Sequence, residues 1–187
     1  MTTMERDRAW DLVRSRLTTP HLRSHVLATE ACMRALARRL EEDEDVWGVA
    51  GLVHDIDLDE VEGDPERHGR VGAEWLEAEG YPPEVVRAVR VHAGHGEPES
   101  GLDRALLAVD PTTGFIVAAT LVRPDRSLLG LKLKSVRKRM KERRFAANVD
   151  RDRIRSVEEL GVPTDEFLAM CIEAMRSIAG ELGLSGE

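Results

Sequence analysis

The sequence predicts an all-α protein, and three observations carry that expectation. Apolar residues recur at steps of three and four through most of the chain, sustained apolar alternation is scarce, and Pro and Gly punctuate the periodic stretches where helices would start and stop. A length of 187 residues suits one compact core, alone or with a helical extension, and leaves little room for two independent domains. Hydrophobic residues at 42% and charged residues at 33% describe a folded globular chain rather than a disordered one.

After Pro20, the residues Leu22, Val26, Thr29, Met33, Leu36 and Leu40 form one buried stripe of a helix over 22–40, with His25 beside it. The acidic run from Glu41 to Asp45 reads as a loop and the first turn of a second helix, where negative charge complements the helix dipole. Val46 to Val53 is almost wholly apolar and ends in the pair His54-Asp55. A polar loop with Gly63 and Pro65 covers 57–67, and a short helix over 69–79 stops at Gly80. Pro82-Pro83 opens the next helix, which sets Val85, Val89 and His92 on one face before Gly94 ends it.

A Gly- and Pro-rich loop follows over 94–101. Leu102 to Val109 is helical, Asp110-Pro111 interrupts or restarts that helix, and 114–122 continues it as an apolar segment. Ser135 reads as the N-cap of a basic helix to about Phe145, and a last helix runs from Thr164 to about Ile178. Composition therefore divides the chain into a core over 1–122 and a basic helical extension over 123–187, packed on that core.

The net charge of −8 is unevenly spread: residues 123–155 hold 13 Lys and Arg against 4 Asp and Glu, which makes this stretch +9 and the remainder −17. Such a stretch is either a solvated basic helix on an acidic body, or a phosphate-binding flank or nucleic-acid contact. No apolar run approaches the roughly 20 residues that cross a bilayer, and the charged start MTTMERDRAWDLVR does not suit a secretory signal. A cytoplasmic protein without membrane contact is expected. Cys32 and Cys171 lie far apart within apolar helical patterns, as reduced core thiols would.

All six histidines fall between His21 and His95, and His54-Asp55 closes the most hydrophobic helix. A buried imidazole and carboxylate each cost several kcal/mol unless paired or bound to a metal. Imidazole nitrogen with carboxylate oxygen suits iron, manganese or zinc. Each residue also has a plainer reading: His25 as a hydrogen-bonded core histidine, His54-Asp55 as a helix C-terminal pair, His68 as a loop residue, and Asp110 before Pro111 as a helix cap.

A His on one helix, a His-Asp doublet on the next and a distant Asp together resemble the HD-domain phosphohydrolases. Here these are His25, the doublet in GLVHDID, and Asp110 in LLAVDPTTG, and the resemblance covers roughly residues 20 to 122. The basic LKLKSVRKRM is also similar to the tail of the bacterial HDIG subgroup, although Ile56-Asp57 stands where that subgroup has Ile-Gly. The resemblance implies an HD-domain helical bundle and, with His68 and His92 at the places of two further histidines, six metal ligands: His25, His54, Asp55, His68, His92 and Asp110. It further implies two metal ions, bridged by Asp55. His95 is the alternative to His92, which is preferred because it continues the face of Val85 and Val89.

Two such ions would acidify a bridging water and neutralise the phosphoryl oxygens as a phosphoester or phosphoanhydride breaks. Asp57 is a candidate proton donor or orienter, with Asp59 as its alternative, and Arg23, Lys132 and Lys134 are candidates for phosphate contact. The expected substrate is a small phosphorylated molecule of nucleotide type, by analogy with family members that cleave dinucleoside polyphosphates. A mononuclear nucleotidase would need only His25, His54, Asp55 and Asp110. An alternative of another class is a nucleotide-sensing or nucleic-acid-binding module without turnover. With aromatics at 4% and Phe145 alone in the basic stretch, stacking platforms for nucleic acid are poorly supplied. Oxygen chemistry at two irons, known among HD-type proteins, is a third use of the same ligands. The sequence carries no signal of oligomeric state.

Overall fold

A computed structural model describes residues 3–186, with side chains from residue 6 onward. The described residues contain helices and no strand, as the periodicity predicts. In chain order the helices are α1 (Thr3–Arg16), α2 (Pro20–Leu40), α3 (Glu44–Val53), α4 (Leu58–Val61), α5 (Arg70–Ala78), α6 (Pro83–His92), α7 (Gly101–Leu121), α8 (Leu133–Met140), α9 (Arg151–Arg155) and α10 (Thr164–Ser177). A 3-10 segment, Ser156–Leu160, joins α9 to α10.

The long helices α2 and α7 lie at the centre. α2 packs on α3, α7 and α10, while α7 also receives α6, α8, α9 and the 3-10 segment. Pro20 supplies the fixed φ of the first turn of α2, and Asp43 caps α3 by accepting from the amides of Asp45 and Val46. Gly51 lets α2 and α3 approach closely, since a Cβ there would stand 2.9 Å from Met33 and 3.0 Å from the carbonyl oxygen of Thr29. α5 and α6 pack side by side, and α6 lies against α3 and α7.

Three expectations are corrected. Asp110-Pro111 neither breaks nor restarts a helix: α7 is continuous, with Pro111 inside it. Pro111 removes one amide donor, but buried residues on both sides, from Leu106 to Val109 and from Thr112 to Ile116, hold the two halves in register. The plainer reading of Asp110 as a cap thereby falls, and the cap of α7 is a box between Ser100 and Asp103.

Ser135 lies within α8, whose N-cap is Lys132 and which ends at Met140 rather than near Phe145. Beyond it the chain turns, with Ala146 at φ 41°, and the Arg151 guanidinium donates to the carbonyls of Phe145, Ala146 and Val149. The loop expected over 57–67 contains the short α4.

One cluster of buried side chains runs through the molecule. It includes Met33, Leu36, Leu52, Ile56, Leu106, Phe115 and Ile116, and it also takes in Leu128, Leu131, Val136, Ile154, Val157, Phe167 and Met175 from beyond residue 122. Cys32 and Cys171 are buried and free within it. α7 reaches the length and apolar character of a membrane-crossing helix, but more than half of that stretch is buried against its neighbours.

Candidate metal centre

Helix α2 carries His25, the C-cap of α3 is His54, and Asp55 follows in the next turn. His68 stands just before α5, His92 is the last residue of α6, and Asp110 lies in the middle of α7. Their ring nitrogens and carboxylate oxygens converge. His25 Nε2 is 3.2 Å from His54 Nε2, 3.1 Å from Asp110 Oδ1 and 3.4 Å from Asp55 Oδ2. His54 Nε2 is 3.3 Å from Asp55 Oδ2 and 3.7 Å from Asp110 Oδ1. On the other side of the same carboxylate, Asp55 Oδ1 is 3.2 Å from His92 Nε2 and 3.5 Å from His68 Nε2. Asp55 thus faces one pair of histidines with each of its oxygens.

The ring tautomers follow from what Nδ1 meets. His54 Nδ1 is 2.8 Å from the carbonyl of Gly51, and His92 Nδ1 is 2.6 Å from that of Val89. A carbonyl only accepts, so both Nδ1 atoms carry the proton. His68 Nδ1 donates to Asp57 Oδ1 at 2.9 Å. The Thr113 hydroxyl donates to the carbonyl of Asp110, which leaves its oxygen to accept from His25 Nδ1 at 3.2 Å. All four histidines therefore turn a lone pair inward through Nε2.

Two such lone pairs 3.2 Å apart, beside two carboxylates, repel unless a cation lies among them. This donor set of four imidazoles and two carboxylates fits a divalent or transition metal ion. Two overlapping groups have ligand atoms within 4.8 Å of one another: His25, His54 and Asp110, and His54, Asp55 and His92.

Electrostatics agree. Burial opposes charge on His25, yet its hydrogen bonds to Asp110 and Asp55 outweigh burial and lift its pKa from 6.5 to about 9. Burial likewise opposes charge on His54, and the Asp55 and Asp110 carboxylates push its pKa well above the usual value. Burial alone would raise Asp55 and Asp110, but the surrounding imidazoles hold both well below the ordinary carboxylate range. Without metal, protons supply the positive charge that these carboxylates demand.

Exposure gives the centre a floor and a mouth. The side chains of His54, His92 and Asp55 are 0%, 2% and 8% exposed, whereas those of His25, His68 and Asp110 are 22%, 21% and 28% exposed.

The remaining candidates fall elsewhere. Asp57 is fully buried and spends Oδ1 on His68 and Oδ2 on the amides of Gly69 and Gly72, at 2.7 and 2.8 Å. It orients His68 and pins the start of α5, and has no oxygen left over for proton transfer. Asp59 accepts from the amides and hydroxyls of Thr18 and Thr19, led by the Thr19 hydroxyl, and its pKa falls to about 2. His95 donates from Nε2 to the carbonyl of His68 and accepts from Arg70 at Nδ1, one layer out from His92.

Arg23 donates to the carbonyls of Leu17 and Arg14 at the end of α1. Lys132 and Lys134 are exposed on and beside the first turn of α8. The described hydrogen bonds and ion pairs join none of these three to the ligand cluster. Two supporting residues escaped the sequence reading. Thr113 was legible as the position three after Asp110, on a neighbouring face of one helix. Arg153, which donates to the carbonyl of His92 at 3.3 Å, had no local signal because its partner lies 61 positions away.

Comparison with known proteins bears on this geometry. The HD domain family model matches residues 22–146, more than half of the chain and further along it than the resemblance read from the motifs. Ribonuclease Y of Sulfurovum sp. (strain NBC37-1) is 32% identical over 87 residues, which are 46% of this chain and 17% of that protein. The chain thus spans a small part of the length of this relative. No solved structure gives a significant match. On the family match and the converging histidines and aspartates, the chain belongs to the HD domain family, a superfamily of metal-dependent phosphohydrolases.

Proposed function

We propose that this chain hydrolyses a phosphoester or phosphoanhydride of a nucleotide-like substrate at a centre of two transition-metal ions. The observation that carries this reading is the division of four Nε2 atoms about the two oxygens of Asp55. His25, His54, Asp110 and Asp55 Oδ2 would hold one ion; His68, His92 and Asp55 Oδ1 would hold the other. Iron, manganese and zinc all suit these donors. When bound, such ions supply Lewis acidity towards a phosphoryl group and the water that attacks it.

The chain's own contribution is positional. Gly51, Val89, Asp57 and Thr113 each occupy an Nδ1, so the four rings cannot rotate away or switch tautomer without losing a bond. The buried floor excludes water from beneath, and a substrate enters over His25, His68 and Asp110. Neither Asp57 nor Asp59 has the free oxygen that protonation of a leaving group requires.

A second reading is favoured by one comparison and one surface. The similar protein is named a ribonuclease, and Lys132, Lys134, Lys138, Arg143 and Arg144 are exposed without an ion pair among the described residues. A short RNA would set its phosphates against such a flank.

Elemental analysis of untagged protein, followed by a screen of dinucleoside polyphosphates, nucleoside monophosphates and short RNA, decides among these. About two ions per chain are expected, mostly lost in Asp55→Ala and partly in His68→Ala, with hydrolysis lost alongside. No metal after anaerobic reconstitution with iron, manganese or zinc would overturn the hydrolase and leave a helical binding module.

A further inference from the structure

Helix α7 contains a glycine that its own packing does not explain. Glycine within a helix is unfavourable relative to alanine, so a mid-helix glycine needs a reason. Gly48, Gly51 and Gly72 each have one: a Cβ would come within 2.5 Å of the Arg34 guanidinium, 2.9 Å of Met33 and 3.2 Å of Asp57 Oδ2 respectively. At Gly114, in the middle of α7, a Cβ would meet nothing within 4 Å, and the backbone has no left-handed φ. The empty space belongs to no protein neighbour.

Its place in the helix says what the space adjoins. Asp110, Gly114, Val117 and Leu121 recur at steps of four, three and four, so they form one stripe along α7. Asp110, Gly114 and Val117 are partly exposed, and Leu121 is 49% exposed. The solvent-facing stripe of a core helix is ordinarily polar. Here it is apolar from the metal ligand outward. On one flank stands α2, whose His25 and Thr29 meet Thr113 at 3.2 and 3.4 Å. On the other, Phe145 packs edge-on against Phe115 at 5.4 Å and Arg151 lies over the same ring at 4.8 Å.

We propose that Gly114 is the specificity-determining position of this centre, its missing side chain leaving room for a nucleobase laid along α7 while the attached phosphoryl group sits at Asp110. This deepens the phosphohydrolase reading and rests on it. The stripe suits a flat, weakly polar ring, because Gly114 lets the ring approach the helix backbone and Val117 offers an apolar edge beside it. A bare phosphate would touch the ligands and never reach Gly114.

The test uses the full chain loaded with manganese, as wild type, Gly114→Ala and Gly114→Leu. Binding of adenosine 5′-monophosphate and of inorganic phosphate is measured by calorimetry, together with metal content, Tm and hydrolysis. Gly114→Ala should raise Tm by about 2–4 °C, since alanine is the better helix former and meets no clash. Gly114→Leu should weaken the nucleotide by roughly tenfold or more, the scale on which a close-fitting site resists added methylenes. Phosphate affinity and metal content should stay as in wild type.

Nucleotide binding unchanged in Gly114→Leu, nucleotide and phosphate weakened together, or a Tm that falls in Gly114→Ala would each overturn the assignment while hydrolysis by wild type still stood. A wild type that binds neither probe and cleaves no phosphoester would overturn the hydrolase itself, and this assignment with it.

Discussion

At the scale of single residues, the four inward lone pairs decide the behaviour of the centre. His25 holds a proton up to about pH 9, so a metal ion must displace it at neutral pH. Metal affinity should therefore rise with pH below about 9, roughly tenfold per unit for each proton displaced. Competition titrations between pH 6 and 8 check this, and a pH-independent affinity would contradict it. The same group sets the stability of the metal-free protein. Because its folded pKa of about 9 exceeds the ordinary 6.5, its stabilisation is complete below pH 6.5 and lost as pH rises through 9. Thermal unfolding of the metal-free protein should show that decline, and loading with metal should remove it. Asp57→Asn sets an amide nitrogen against a ring Nδ1–H or two backbone N–H groups. We expect a loss of about 1–3 kcal/mol together with weakened binding of one ion, read by denaturant titration and metal analysis.

At the scale of elements, the close approach of α2 and α3 is what brings His25 to His54. Gly51→Ala would press a methyl group against the Thr29 carbonyl and Met33, forcing the helices apart. A loss of about 1–3 kcal/mol is expected, with metal lost from the pair His25 and His54; an unchanged metal content would show that the spacing tolerates the methyl. Helices α2, α3, α6 and α10 were legible because their apolar residues keep one period and their ends carry Pro, Asp or Gly. Of the three misread elements, the two longest have identifiable reasons. Pro111 is a local helix breaker overruled by burial on both sides of it, which no window of sequence displays. Where the basic helix was expected to continue towards Phe145, the chain turns, and Arg151 holds the carbonyls of Phe145, Ala146 and Val149, a long side chain's contact that periodicity cannot encode.

At the scale of the whole molecule, the six candidate ligands come from α2, the turns after α3 and before α5, the end of α6, and α7. The ordered motif made those six positions legible, since each type and spacing could be read along the chain. The support beneath them was not: the carbonyls of Gly51 and Val89 are backbone groups, and Arg153 comes from a distant helix. The extension beyond residue 122 looks separate by composition, yet Leu131, Val136, Ile154, Phe167 and Met175 lie in one buried cluster with Met33 and Leu36. Phe167→Ala should cost about 3–5 kcal/mol and leave a single unfolding transition by calorimetry, whereas two transitions would mark an independent unit beyond residue 122.

The carboxylate of Asp59 has a mechanical consequence. It gathers the amides and hydroxyls of Thr18 and Thr19 from some forty positions away, closing the chain into a ring without a covalent link. Tension applied to α1 meets that clasp in the turn between α1 and α2, where Thr18 and Thr19 lie, and passes into α4, the short helix just after Asp55. The turn that leads into the helix of His25 is thus tied to the segment that follows His54 and Asp55, a brace within the fold that needs no covalent bond.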